Sequence, residues 1–292
     1  MNTSAPIPAE QICSAAINGA CDELRRLLLA GGSTEIIGGG YDRTPLALAA
    51  QHGHADCVRT LLEFGADVHA RDIEIDTPLS IAAAEGHSEC VALLIAAGAE
   101  INTGSANGTP LLQAAYSGSA ECVQLLLQAG AVANEFSEYG GSALSAAVSI
   151  GASDCARLLV QAGACLSEPD EWGHDEMTRA VAGGNEECIR LVLSLGGNPY
   201  YLGKQKELAF LSDVEDDEVE RVKEYIKQGV DINFKNRHGR TALFLALQYA
   251  TPNDCLTLLL QAGIDDSIRD IYGDTAWDFS VKYGCGWVPQ QP

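Results

Sequence analysis

The chain has 292 residues, of which 47% are hydrophobic but only 6% aromatic, and 40 acidic side chains outnumber 18 basic ones to leave a formal charge of −22. This length admits either two ordinary domains or one extended repeat array, and a composition rich in Ala, Leu and Gly favours helix packing over sheets. Phosphate backbones and anionic lipids are normally met with Lys and Arg, so the charge argues against nucleic acid and membrane surfaces and points to a basic partner.

The opening MNTSAPIPAE has no basic leader ahead of an apolar stretch, and the longest apolar run, about Val91 to Ala99, falls short of the roughly 20 residues that cross a bilayer. A soluble chain not secreted by that route is expected.

A repeat sets the order of elements. From Thr44, TPLALAAQHGHADCV realigns with TPLSIAAAEGHSECV from Thr77 and TPLLQAAYSGSAECV from Thr109, at offsets of 33 and 65 residues. The frame reaches back to Glu10 and continues more loosely from Ser142, Asp175, Leu208, Thr241 and Thr275, so nearly the whole chain is covered.

Each unit predicts two short helices. In the first, Leu46, Ala49 and Ala50, and again Leu79, Ala82 and Ala83, lie three and four residues apart and put small apolar groups on one face. A glycine then stands where a helix-helix turn needs positive φ: Gly19, Gly53, Gly86, Gly118, Gly151 and Gly184. The second helix carries an apolar stripe (Val58, Leu61, Leu62; Val91, Leu94, Ile95; Val123, Leu126, Leu127) expected to face inward. It ends at another glycine in eight units: Gly31, Gly65, Gly98, Gly130, Gly163, Gly196, Gly229 and Gly263. Helices of roughly 8 to 10 residues are marginal alone because nucleation is costly, so they must stack on their neighbours.

The Thr44-Pro45-Leu46 opening, the Gly53-His54 pair and the Gly65-Ala66-Asp67-Val68 ending resemble the ankyrin repeat. That resemblance implies an all-α repeat solenoid of about eight to nine ankyrin-type helix-turn-helix units with hairpin loops and irregular terminal caps. Paired antiparallel helices would be followed by a protruding hairpin, with hairpins and first helices lining a concave face. The expected organisation is a single ankyrin-repeat domain over 1–292: an N-terminal capping repeat at 1–33, internal repeats at 34–264 that diverge at about 200–233, and a C-terminal capping repeat and tail at 265–292. In the divergent unit, Leu208 and Ala209 replace Thr-Pro and Asp217 replaces the turn glycine, where the stack is expected to bend or loosen. The unit from Thr241 has an extra residue near Ala250, Thr251 and Pro252.

Ten cysteines invite a metal or redox reading, but six of them recur at one place in the second helix: Cys57, Cys90, Cys122, Cys155, Cys188 and Cys255. Stacked helices lie roughly 8 to 10 Å apart, beyond the Cα separation of about 7 Å that a disulfide tolerates, so these should be buried, reduced thiols in a cytoplasmic protein. By the resemblance, His54 and His87 hydrogen-bond across their loops. The acidic stretch Asp213, Glu215, Asp216, Asp217, Glu218, Glu220 lacks the glycine-punctuated spacing of a calcium loop and reads as a solvated face. HExxH, CxxC, Walker-type and GxSxG patterns are absent, and Gly38 to Gly40 is not flanked as a dinucleotide site is; no catalytic residue, cofactor or metal is expected.

Ankyrin proteins vary the hairpin residues before the unit start and the two residues after the Ala pair. Carried over, the hairpin set is Tyr41, Arg43, Glu74, Asp76, Glu138, Tyr139, Glu171, Trp172, His174 and Tyr272. The first-helix set is Gln51, His52, Glu85, Tyr116, Glu215, Asp216 and Tyr249. Aromatic anchors among carboxylates fit a contact surface for a basic protein, with Tyr116 and Trp172 foremost, although hairpin aromatics also pack on their neighbours. The function expected is a non-enzymatic, monomeric binding module acting as an inhibitor of the immunity type, which plugs a basic active site, or as an adaptor. Two alternatives stand beside it: a bacterial effector that mimics a host adaptor, and an enzyme with a cryptic site in the divergent C-terminal units.

Overall fold

Each repeated Thr-Pro is a helix start. Thr44, Thr77 and Thr109 are extended N-caps whose hydroxyls accept the backbone N–H of Ala47, Ser80 and Leu112, and the proline that follows sits where the helix has no use for an N–H. Ser142 and Asp175 cap without the proline, each N-cap N–H donating in return to the side chain of Ser145 or Thr178. The computed structural model describes residues 9–38, 42–105, 107–135, 141–166, 175–197, 204–248 and 254–283, and among these are seventeen helices and three isolated antiparallel bridges, with no strand. The chain divides into two compact units, Met1–Cys165 and Leu166–Pro292.

In the first unit the helices come in pairs: α1 (Ala9–Ile17) and α2 (Cys21–Leu29), α3 (Pro45–Gln51) and α4 (Ala55–Glu63), α5 (Pro78–Ala84) and α6 (Ser88–Ala96), α7 (Pro110–Ser117) and α8 (Ala120–Gln128), α9 (Ala143–Ser149) and α10 (Ser153–Gln161). Odd-numbered helices pack on odd and even on even, so one layer of first helices and one of second helices enclose a continuous core. Leu46, Ala49, Ala50, Val58 and Leu61 are fully buried, as are their equivalents Leu79, Ala82, Ala83, Val91 and Leu94. The apolar stripe is narrower than its sequence: Leu62, Ile95 and Leu127 are only half-buried, at the edge of the second-helix layer.

The turn glycines are needed twice over. Gly19 and Gly53 have φ of +67° and +73°, and a Cβ on them would lie 2.6 and 2.7 Å from the rings of His54 and His87. Those rings do not bond across their own loops. His54 Nε2 reaches Ile17 O at 2.8 Å and His87 Nε2 reaches Gln51 O at 3.1 Å, at the end of the preceding unit's first helix. A carbonyl only accepts, so Nε2 carries the proton and each ring stitches one unit to the next.

The second unit holds α11 (Glu176–Gly183), α12 (Glu186–Ser194), α13 (Gln205–Glu215), α14 (Val219–Lys227), α15 (Ala242–Ala246), α16 (Asp254–Gln261) and α17 (Ala276–Lys282). Its first-helix layer runs α11, α13, α15, α17. Large side chains fill its core: Phe210, at the place of Leu46, and Phe244, at the place of Ala47, are fully buried, and Phe210 meets Tyr225 edge-on at 6.4 Å. Helix α13 begins before the expected unit start at Leu208, because no Thr-Pro fixes its first turn and its N-cap, Lys204, makes no side-chain capping bond. Asp217 does take the turn glycine's place, with φ +54°, and its carboxylate accepts the N–H of Cys255 at 3.2 Å in the first turn of α16. The extra residue near Ala250 lies outside the described residues.

Candidate protein-binding face

The hairpin between α4 and α5 is organised by one carboxylate. Asp72 Oδ1 accepts the N–H groups of Glu74 and Asp76, both at 2.9 Å, while Asp72 N donates to Asp76 O at 3.1 Å and Ile75 N to Asp72 O at 3.0 Å. Its other oxygen accepts Arg43 Nε from the preceding hairpin at 2.9 Å, and the two side chains are 1% and 11% exposed. The buried charge is thus matched by an arginine of the neighbouring unit. Asp270 repeats the arrangement in the second unit: Oδ1 accepts Tyr272 N and Asp274 N at 2.9 and 3.1 Å, and Oδ2 accepts Arg240 Nε at 3.4 Å. The Arg240 guanidinium lies 4.3 Å from the centre of the Phe279 ring.

Beside the Asp72 hairpin is a groove of about 270 Å³ that brings together five of the expected contact residues: Arg43, Gln51, Glu74, Asp76 and Glu85. Ser80, Ile81 and Ala84 of α5, with Asn107 and Gln113 of the next unit, complete its lining. Asp76 is buried, accepting Ser80 Oγ at 3.3 Å and Asn107 Nδ2 at 3.1 Å. Asn107 Nδ2 also reaches Glu74 Oε2 at 3.3 Å, so the outer part of Glu74 is steadied while the residue stays exposed. Glu85 is exposed and has no ion pair among the described residues. Since Asp72 already neutralises Arg43, the groove presents Glu74, Asp76 and Glu85 without a matching cation in its lining, and a negative potential results.

Tyr116 is 49% exposed and lies three residues beyond Gln113, on the same face of α7. His52 is exposed, its ring 6.2 Å from that of His54. Glu215 is half-buried, Asp216 exposed, and Tyr272 66% exposed at the tip of the Asp270 hairpin; all three belong to the second unit. Tyr41, Glu138, Tyr139, Glu171, Trp172, His174 and Tyr249 lie outside the described residues. Sequence reasoning missed Ser80, Gln113 and Asn107, the last of which reaches across to Glu74 and Asp76 of the preceding unit, and the exposed Ile73 and Ile75 at the hairpin tip. For Ile75 a signal existed, because the equivalent places before Thr241 and Thr275 are Gly239 and Gly273.

The ladder cysteines are at most 1% exposed, and burial pushes the thiols up to about 12 in Cys57 and Cys255 and about 11 in Cys90. The acidic stretch is not uniformly solvated: Asp213 is buried against Arg221 at 3.1 Å, and burial raises its pKa. Among the described residues no group of three or more His, Cys, Asp or Glu could hold a metal ion, and no helix is long and apolar enough to cross a membrane.

A family model described as ankyrin repeats (3 copies) matches residues 12–105, 79–170 and 111–202. The chain is also similar to ankyrin repeat and SOCS box protein 12 of Mus musculus, with 52% identity over 40 residues, which is 14% of this chain and 13% of that protein's length.

Proposed function

Because the chain belongs to the ankyrin-repeat family, whose repeats are protein–protein interaction modules, we propose that its hairpin and first-helix face captures a basic protein. The observation that carries this reading is the groove, where Glu74 and Glu85 are exposed to an incoming cation beside the buried Asp76, while the lining arginine is already matched to Asp72. A chain of charge −22 attracts such a partner at long range and speeds encounter, and desolvated contact with Tyr116 and Trp172 slows release. The buried cysteine ladder fits a reducing, cytoplasmic setting, and the module is taken to act as a monomer, in either an inhibitory or an adaptor role.

The test starts with affinity capture on the full chain and mass-spectrometric identification of the protein retained. Replacing Tyr116 and Trp172 together by Ala should weaken its binding by roughly tenfold or more, as loss of aromatic anchors does. Unchanged affinity refutes the reading. An inhibitor abolishes the captured protein's own activity at equal stoichiometry, whereas an adaptor leaves it intact.

A further inference from the structure

Ile75 is out of place for a residue whose only task is to turn the chain. Two residues before the capping Thr77, it stands where Gly239 precedes Thr241 and Gly273 precedes Thr275, with φ of +66° against +73° and +86°. The three turns are alike in their bonding as well. Ile75 N donates to Asp72 O at 3.0 Å, Gly239 N to Asn236 O at 2.9 Å and Gly273 N to Asp270 O at 3.0 Å. Left-handed backbone sets Cβ against the neighbouring carbonyl, and a β-branched residue tolerates it least.

The fold gives that side chain little in exchange. Ile75 is 49% exposed and Ile73, on the other side of Glu74, is 62% exposed. Two large aliphatic groups therefore stand in water at a hairpin tip whose intervening residue, Glu74, turns into the acidic groove. A strained β-branched residue whose side chain stays half in water is a candidate for contact with a partner.

Resting on the proposed capture of a basic protein, we infer that the Ile73–Ile75 tip and the groove form one composite subsite for a segment in which a lysine or arginine is followed by an apolar side chain. The cation lies among Glu74, Asp76 and Glu85, and the apolar neighbour covers Ile73 and Ile75. Charge complementarity selects the first residue, and removal of exposed aliphatic surface from water selects the second.

The experiment uses the full chain and three short fluorescent peptides whose Gly-Ser spacers separate Lys-Leu, Lys-Ser or Glu-Leu pairs, read by polarisation. The Lys-Leu peptide should bind most tightly. Ile75→Gly should weaken it by roughly tenfold, leave Lys-Ser binding as it was, and hold or raise Tm. Ile73→Ser, which leaves the strained turn in place, should weaken Lys-Leu in the same direction. Equal binding of Lys-Leu and Lys-Ser with no effect of Ile75→Gly overturns this inference while the basic-partner reading stands. A fall in Tm for Ile75→Gly also overturns it, because the isoleucine then serves the fold. Failure of both lysine peptides to bind overturns the two together.

Discussion

The hairpins at Asp72 and Asp270 share one frame and differ at two places, Glu74 against Tyr272 and, at the apex, Ile75 against Gly273. In both, a buried aspartate accepts two backbone N–H groups and takes an arginine from the preceding hairpin. In the second unit the apex residue is Gly273, which adopts its φ without steric objection; in the first it is Ile75. The turn is therefore held by the acid and its arginine, and the apex is left to be chosen on other grounds.

Breaking the shared frame should have the largest effect. Arg240→Met leaves Asp270, whose side chain is 0% exposed, as a buried unpaired charge, and it also removes the cation from the Phe279 face. A loss of about 3–5 kcal/mol in urea unfolding is expected, with Arg43→Met next because its pair is slightly more exposed. A loss under about 1 kcal/mol for either would show that the acid and arginine do not hold the turn.

The caps that follow these hairpins sharpen the contrast by a smaller amount. Thr77 makes a reciprocal capping box with Ser80, so Thr77→Ala should cost about 1 kcal/mol. Thr241 makes no side-chain cap, and its hydroxyl is buried without a partner among the described residues. Thr241→Ala should fall within about 0.5 kcal/mol of the parent in the same unfolding experiment, and an equal loss at both sites would contradict the difference.

Much of the fold was legible because capping and turning are local. Thr44, Thr77, Thr109, Ser142, Asp175 and Thr275 act as N-caps where the frame put them, and Asp217 replaces a turn glycine in conformation as well as in alignment. The start of α13 was missed at Leu208 because a helix without a capping side chain carries no boundary signal. The targets of His54 and His87, and the match of Arg43 to Asp72, were hidden for a different reason: they join positions about one repeat apart, and only stacking brings them together. Within the candidate face, residue type and register pointed to Glu74 and Glu85, but they could not distinguish those exposed carboxylates from Asp76, which is enclosed by Ser80 and Asn107.

The central claim concerns which face meets the partner, and carbodiimide cross-linking of the captured complex followed by peptide mapping tests it most directly. Glu63 and Glu89, on second helices α4 and α6, are exposed carboxylates away from the hairpins, 49% and 72% exposed and paired with Arg25 and Arg59. Cross-links from partner lysines concentrated on Glu74 and Glu85 are predicted. Cross-links concentrated on Glu63 and Glu89 would place the partner on the second-helix layer and contradict the account.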